Sequence, residues 1–171
     1  FTLAVQTCRE VQVLCALRKG QFGVAGWNRI VEQRLGMNAA SQWYLGRPVL
    51  VSSNDRTTGL FNGDVGVVCA NSDGSRVAAF SGTDEKFRFP VTRLPDVETV
   101  HALTIHKSQG SEYEHAIVVL PTHESRILTR ELLYTGVTRA VSKLTVIATT
   151  EAITHAVNIP VRRATGLARR L

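Results

Sequence analysis

The stretch TVHALTIHKSQGSEYEHAIVVLP, residues 99–121, decides how this chain is read. Val100 to Ile105 is an apolar approach strand and Ala116 to Leu120 a second apolar run. Between them lies a polar loop whose glycine, Gly110, permits backbone conformations closed to other residues. The loop gathers His106, Lys107, Ser108, Gln109, Ser111 and Glu112, which together offer donors, acceptors and both signs of charge. Polar loops between buried strands are where binding chemistry collects. The stretch therefore reads as a ligand edge.

Working outward, the flanks carry an α/β pattern. Val11 to Leu17 is a short apolar run with the pattern of a strand buried on both faces, broken by Arg18-Lys19-Gly20. The spacing of Val24, Trp27, Ile30, Val31 and Leu35 predicts a helix over 24–35, with Gly36 as its stop. On the other side, residues 131–141 place Leu132, Leu133, Gly136, Val137 and Ala140 on one helical face, with Arg139 at its border. Lys143 to Thr149 reads as another buried strand and Glu151 to Val157 as a last helix. Strand and helix alternation of this kind predicts a parallel sheet covered by helices.

The middle has a different texture. Short strands are expected at 48–53, 64–69, 76–80 and 86–89, separated by turn chemistry at Asn54-Asp55, Asn62-Gly63-Asp64, Asp73-Gly74 and Ser81-Gly82. Evenly spaced short strands predict a small β-barrel inserted into the larger domain. Asn62-Gly63-Asp64 reads as a tight hairpin turn. Arg56, Arg76, Lys86, Arg88 and Arg93 tilt the insert basic. The Arg-rich tail from Arg162 to Leu171 reads as a mobile basic end.

Composition narrows the classes. With 44% hydrophobic and 20% charged residues, 171 residues suffice for one ordinary domain or a compact domain carrying an insertion. A net charge of +6 and a pI near 9.7 favour a polyanionic partner. Cys8, Cys15 and Cys69 are odd in number and lack C-x-x-C spacing, which argues against a disulfide framework or a zinc site and fits a cytoplasmic protein. No run approaches the length of a membrane span, so no membrane partner is expected. The chain opens on Phe1, the expectation for a piece of something longer.

Several chemistries lack their signatures. His101, His106, His115, His123 and His155 show no metal-ligand spacing, and no metal site is predicted. Ser108 and Ser111 lie near His106 and Glu112, but there is no nucleophile elbow. No G-x-x-x-x-G-K-[ST] phosphate loop occurs anywhere. The chain alone is therefore expected neither to hydrolyse ATP nor to bind ATP or Mg2+ tightly.

Two motifs and a turn then fall into place together. TIHKSQGSEY at 104–113 and ELLYTGVTRA at 131–140 resemble motifs V and VI of the superfamily 1 helicases, most closely those of the RecD-like branch. GLFNGDVG at 59–66 is similar to the signature of the small β insertion in that branch. The resemblance runs from about Val11 to Thr149 in the family's order, with the first strand and its loop, including Arg18 and Lys19, at the place of motif IV. It implies a RecA-like α/β motor domain, residues 1–40 and 99–171, interrupted by an SH3-like β-barrel at 41–98.

The resemblance also implies roles. Arg139 would be the arginine finger, a planar, permanently charged donor brought to a phosphoryl group held by a facing domain. Gln109, Gly110 and Glu112 would lie on the nucleotide side. Thr104, His106, Lys107 and Ser108 would grip a phosphate of single-stranded DNA, although His106 by itself reads equally as a loop residue with a local hydrogen bond. Implied partners are single-stranded DNA, an N-terminal motor domain of the same parent chain and, for the exodeoxyribonuclease V version, RecB-like and RecC-like subunits. That version further implies 5′-to-3′ movement and double-strand-break repair. The competing classes are a non-catalytic DNA- or protein-binding module, a RecD-like helicase that works alone, and a conjugative relaxase carrying the same domain.

Overall fold

The computed structural model describes residues 2–37, 41–80, 87–122 and 125–161. The expected turn at Ser81-Gly82, the Lys86 end of a predicted strand and the Arg-rich tail lie outside them. Two sheets are present. In the first, strands β1 (Val11–Cys15), β7 (Ala102–Thr104), β8 (Tyr113–Val119) and β9 (Ala140–Ile147) are ordered β7-β1-β8-β9. Every pairing in it is parallel. In the second, β2 (Pro48–Val51), β3 (Val65–Ala70), β4 (Arg76–Phe80), β5 (Arg88–Pro90) and β6 (Val97–Thr99) are ordered β5-β4-β3-β2-β6, all antiparallel.

Helices cover both faces of the central strands, as apolar strands buried on two sides require; β9, expected at 143–149 as a buried strand, is the sheet's edge strand and is largely exposed. Helix α2 (Val24–Arg34) lies on one face, where Trp27 and Val24 pack on Val13, Cys15, Ala102 and Val119. Helices α3 (Arg130–Val137) and α4 (Thr150–Asn158) lie on the other, where Leu128, Leu132, Ala152 and Ala156 meet Leu14, Ile105, Ala116 and Val118. Both of these helices start on a threonine cap: Thr129 Oγ1 accepts from Leu132 N and Thr149 Oγ1 from Ala152 N. Cys15 is fully buried here, and burial pushes its thiol up to about 12, so it is a small hydrophobe and not a nucleophile.

An additional helix, α1 (Thr2–Glu10), was not evident in the sequence pattern. Its Val5 packs on Val67 and Ala79 of the antiparallel sheet, so α1 touches both sheets. The antiparallel sheet has its own core of Val49, Val51, Leu60, Val68, Ala78 and Phe80. Its ladder ends at β5 and β6, the order of a sheet with two edges. Asn62-Gly63 is not a two-residue hairpin. Phe61 to Asp64 form a turn with Gly63 at φ +100°, closing a longer excursion from β2 to β3 through the Asp55–Leu60 bridge.

A second difference concerns the helix before Arg139. It ends at Val137, Thr138 caps it, and Ala140 already belongs to β9. The cause is ladder pairing: Ala140 sits opposite Tyr113, whose N–H donates to the Arg139 carbonyl at 2.9 Å. Arg139 therefore stands at a helix-to-strand junction and not on a helical face.

Gly66, the last glycine of the turn signature, lies directly across from Phe80, and an added Cβ would come within 2.8 Å of the Phe80 ring and of the Ala79 carbonyl. Gly66→Val is expected to destabilise the insert by about 1–3 kcal/mol, measured by denaturant melts. A second expectation concerns pH. His101 Nε2 lies 2.7 Å from the Tyr44 hydroxyl, which also reaches Glu32 Oε1 at 3.0 Å, and burial holds the imidazole below its usual 6.5. The unfolded chain then takes up a proton that the folded one refuses, so stability is complete above 6.5 and falls as pH drops below it. Wild type should melt earlier at about pH 5.5 than at about pH 7.5, and His101→Gln should lose part of that difference.

Candidate functional site

The loop between β7 and β8 is built by tight local bonding. The Ser108 N–H donates to the Thr104 carbonyl and the Gln109 N–H to the His106 carbonyl, and Gly110, at φ +86°, reverses the chain. Nothing lies within 4 Å of where a Gly110 Cβ would be, so that glycine is required by backbone conformation and not by space. The chain then enters β8 directly. No helix begins at Glu112, and its carboxylate is exposed beside Ser111.

The predicted DNA-side residues divide into two kinds. Thr104 is buried and its Oγ1 accepts from the Lys107 N–H at 3.2 Å. Ser108 is fully buried and donates its hydroxyl to the Ile105 carbonyl at 2.8 Å. These two hydroxyls brace the turn, and the Ser108 side chain is not presented to solvent. His106 and Lys107 are exposed, and Lys107 Nζ is held 2.8 Å from Glu98 Oε2 on β6.

Arg139 reaches the loop from the other side. Its Nη1 donates to the Ser111 carbonyl at 3.0 Å, its Nε to the Thr135 carbonyl at 3.1 Å and its Nη2 to Thr138 Oγ1 at 3.2 Å. Every one of these acceptors is neutral, and no described carboxylate lies within ion-pair distance. The guanidinium is thus oriented without being neutralised, which suits a cation kept for an anionic ligand. Gly110, Ser111 and Glu112 also line a cavity of about 270 Å³ with Gln12, Gly63 and Val65. The Asn62-Gly63 turn of the insert thereby shares a wall with the predicted nucleotide side. Gln109 is exposed on the same loop.

Two side-chain amides, buried Gln12 and half-buried Asn28, were not singled out in the sequence. Asn28 on α2 donates from Nδ2 to the Thr99 carbonyl at 3.0 Å and accepts at Oδ1 from the Ala102 N–H at 2.8 Å. Gln12 on β1 donates to the carbonyls of Val100 and His101 at 3.3 and 3.1 Å. Their partners are 71 to 89 residues distant in sequence, so no local pattern marks them. Among the described residues no group of three or more His, Cys, Asp or Glu is placed to hold a metal ion. No described helix is long and apolar enough to cross a membrane.

Comparison with known proteins agrees with this architecture. The UvrD-like helicase C-terminal domain family matches residues 99–147, the segment running from the loop through Arg139 and into β9. A protein named RecBCD enzyme subunit RecD from Mycolicibacterium smegmatis is 47% identical over 98% of this chain and 30% of its own length. Its namesake from Mycobacterium tuberculosis is 44% identical over 99% of this chain, again across 30% of the relative. The chain thus spans about 30% of the length of these curated relatives. Among solved structures, a Pif1 helicase from Bacteroides in complex with ADP-AlF3 and ssDNA superposes with a TM-score of 0.53 at 17% identity, over 95% of this chain and 44% of that one. At that identity the likeness speaks for the fold, a RecA-like helicase domain. The near-complete match to RecD sequences, the helicase C-terminal domain at 99–147 and the shared fold agree: over nearly its whole length this chain is homologous to part of the proteins named RecBCD enzyme subunit RecD.

Proposed function

We propose that this chain is the second motor half of an ATP-dependent DNA helicase, contributing an arginine finger and contacts to single-stranded DNA. The observation that carries the reading is Arg139. Its guanidinium is fixed by three neutral acceptors, one of them the Ser111 carbonyl of the loop, and retains its full charge. Phosphoryl transfer builds negative charge on the transferred group, and a positioned arginine stabilises it without having to reorganise.

The residues present fit one side of a nucleotide site. Gly110 leaves open backbone, the exposed Glu112 offers an acceptor, Gln109 lies beside them, and Arg139 supplies the cation. ATP with Mg2+ would supply the reacting phosphoryl group, held by the phosphate loop of a facing N-terminal motor domain. His106 and Lys107 would meet the phosphates of single-stranded DNA from the exposed side of the same loop, while Thr104 and Ser108 hold the turn in shape. Because Arg139 and the loop are joined by one hydrogen bond, a change on the nucleotide side bears directly on the segment facing DNA. Relatives named as RecBCD enzyme subunits support placing the full-length protein beside RecB-like and RecC-like partners, and the motif resemblance adds 5′-to-3′ movement and double-strand-break repair to that proposal.

Single-stranded-DNA-stimulated ATP hydrolysis by the full-length protein tests this. Arg139→Ala is expected to lower turnover by about 10³- to 10⁵-fold while ATP and DNA still bind. Turnover near wild type would remove the finger assignment, and a wild-type protein with no ATPase activity would make the chain a DNA- or protein-binding module. Ser108→Ala should behave differently. It leaves the buried Ile105 carbonyl without its hydroxyl partner and should cost about 1–3 kcal/mol of stability in a denaturant melt.

A further inference from the structure

A groove of about 600 Å³ runs between α2 and the segment 97–104, where the insert rejoins the parallel sheet. Its size is within the range of roughly 300–1,000 Å³ common to ligand sites. Four cations line it, Arg18, Arg29, Arg47 and Lys107, against two acids, Glu32 and Glu98. Both acids are engaged: Glu32 Oε1 accepts from the Tyr44 hydroxyl at 3.0 Å, and Glu98 Oε2 holds Lys107 Nζ at 2.8 Å.

Arg47 sets this groove apart from an ordinary basic surface. It is only 7% exposed. Its Nε donates to Thr99 Oγ1 at 2.9 Å and its Nη1 to the Gln42 carbonyl at 2.6 Å, while its guanidinium carbon lies 4.8 Å from the centre of the Trp43 ring. No described carboxylate is within ion-pair distance. A buried cation whose hydrogen bonds go only to neutral acceptors is costly; burial lowers its proton affinity, Tyr44 and Glu32 offset part of that through space, and the guanidinium stays charged. Two of its five N–H donors are used. An arriving anion would add a directly paired countercharge and accept from the remaining donors.

We propose that this groove binds a phosphodiester group of single-stranded DNA, with Arg47 as its buried anchor, Arg18 and Arg29 beside it, and Glu98 competing with that phosphate for Lys107. The inference rests on the reading of Lys107 as the DNA side, because Lys107 and the Thr104 that braces its turn line the groove, whereas Gly110, Glu112 and Arg139 do not. That division favours a nucleic-acid phosphate over a nucleotide's. The groove extends the DNA path beyond the loop onto α2 and the start of β2, and the Glu98–Lys107 pair makes entry a displacement of one anion by another.

The test is fluorescence anisotropy of a labelled oligothymidylate with the full-length protein, across a salt series. Arg29→Ala and Arg47→Gln should each weaken binding and reduce the slope of log K against log salt by about 0.7. Glu98→Gln should tighten binding by freeing Lys107. Arg29 and Glu98 are exposed, so these two variants decide the matter if Arg47→Gln fails to fold. If Lys107→Ala weakens binding but Arg29→Ala and Glu98→Gln match wild type, the groove assignment falls while the DNA reading of the loop stands. If wild type does not bind the oligonucleotide, both fall. Variants that keep oligonucleotide affinity but lose affinity for a fluorescent ADP analogue would overturn the proposal by assigning the groove to the nucleotide.

Discussion

The return of the chain from the insert into the parallel sheet depends on two side-chain amides, buried Gln12 and half-buried Asn28. Between β6 and β7 the backbone leaves an antiparallel ladder and joins a parallel one, and at this crossover several of its polar groups are met by side chains. Buried backbone groups without partners cost about 1–3 kcal/mol each. Asn28 satisfies the Thr99 carbonyl and the Ala102 N–H together, and Gln12 satisfies the carbonyls of Val100 and His101. These bonds fix α2 and β1 against the junction. The direction in which β7 delivers Thr104 and the loop follows from that fixing.

The same junction explains why two sheets of opposite character act as one body. Leu50 of β2 and Val100 share the main core with Leu14, Leu103 and Ile105, and Val5 of α1 packs on Val67 and Ala79. The site is therefore supported from both sheets. Arg139 and the loop come from the parallel sheet, while Gly63 and Glu98 reach the loop's surroundings from the insert. A nucleotide-side rearrangement of the loop would be felt at Glu98 through Lys107, and a ligand displacing Glu98 would be felt at the loop.

Much of this was legible in sequence, for physical reasons that differ by element. The apolar runs at 11–17 and 116–120 read as strands because a parallel strand covered on both faces has few positions left for polar residues. The helix at 24–35 read from its spacing. The loop announced itself by concentrating polar residues around one glycine. Arg139 was singled out in sequence at the border of a helical face, but helical periodicity continues through Ala140, and only the pairing of Ala140 with Tyr113, a partner 27 positions earlier in the chain, ends it. The short helix α1 escaped because, among its described side chains, only Val5 is buried in the core.

What no sequence pattern could supply is countercharge. Arg47 passes unmarked in the sequence, whereas Lys107 stands out in its polar loop. In the fold Lys107, exposed, has a carboxylate at 2.8 Å, and Arg47, buried, feels Glu32 through space but has no described carboxylate within ion-pair distance. An exposed pair of this kind is worth about 0–1 kcal/mol and is readily exchanged for another anion. A buried guanidinium held by neutral acceptors cannot exchange partners so cheaply and gains most from an anion that enters. Which cation answers a phosphate is thus set by burial, and burial here is decided by Trp43, Thr99 and the junction that Asn28 holds in place.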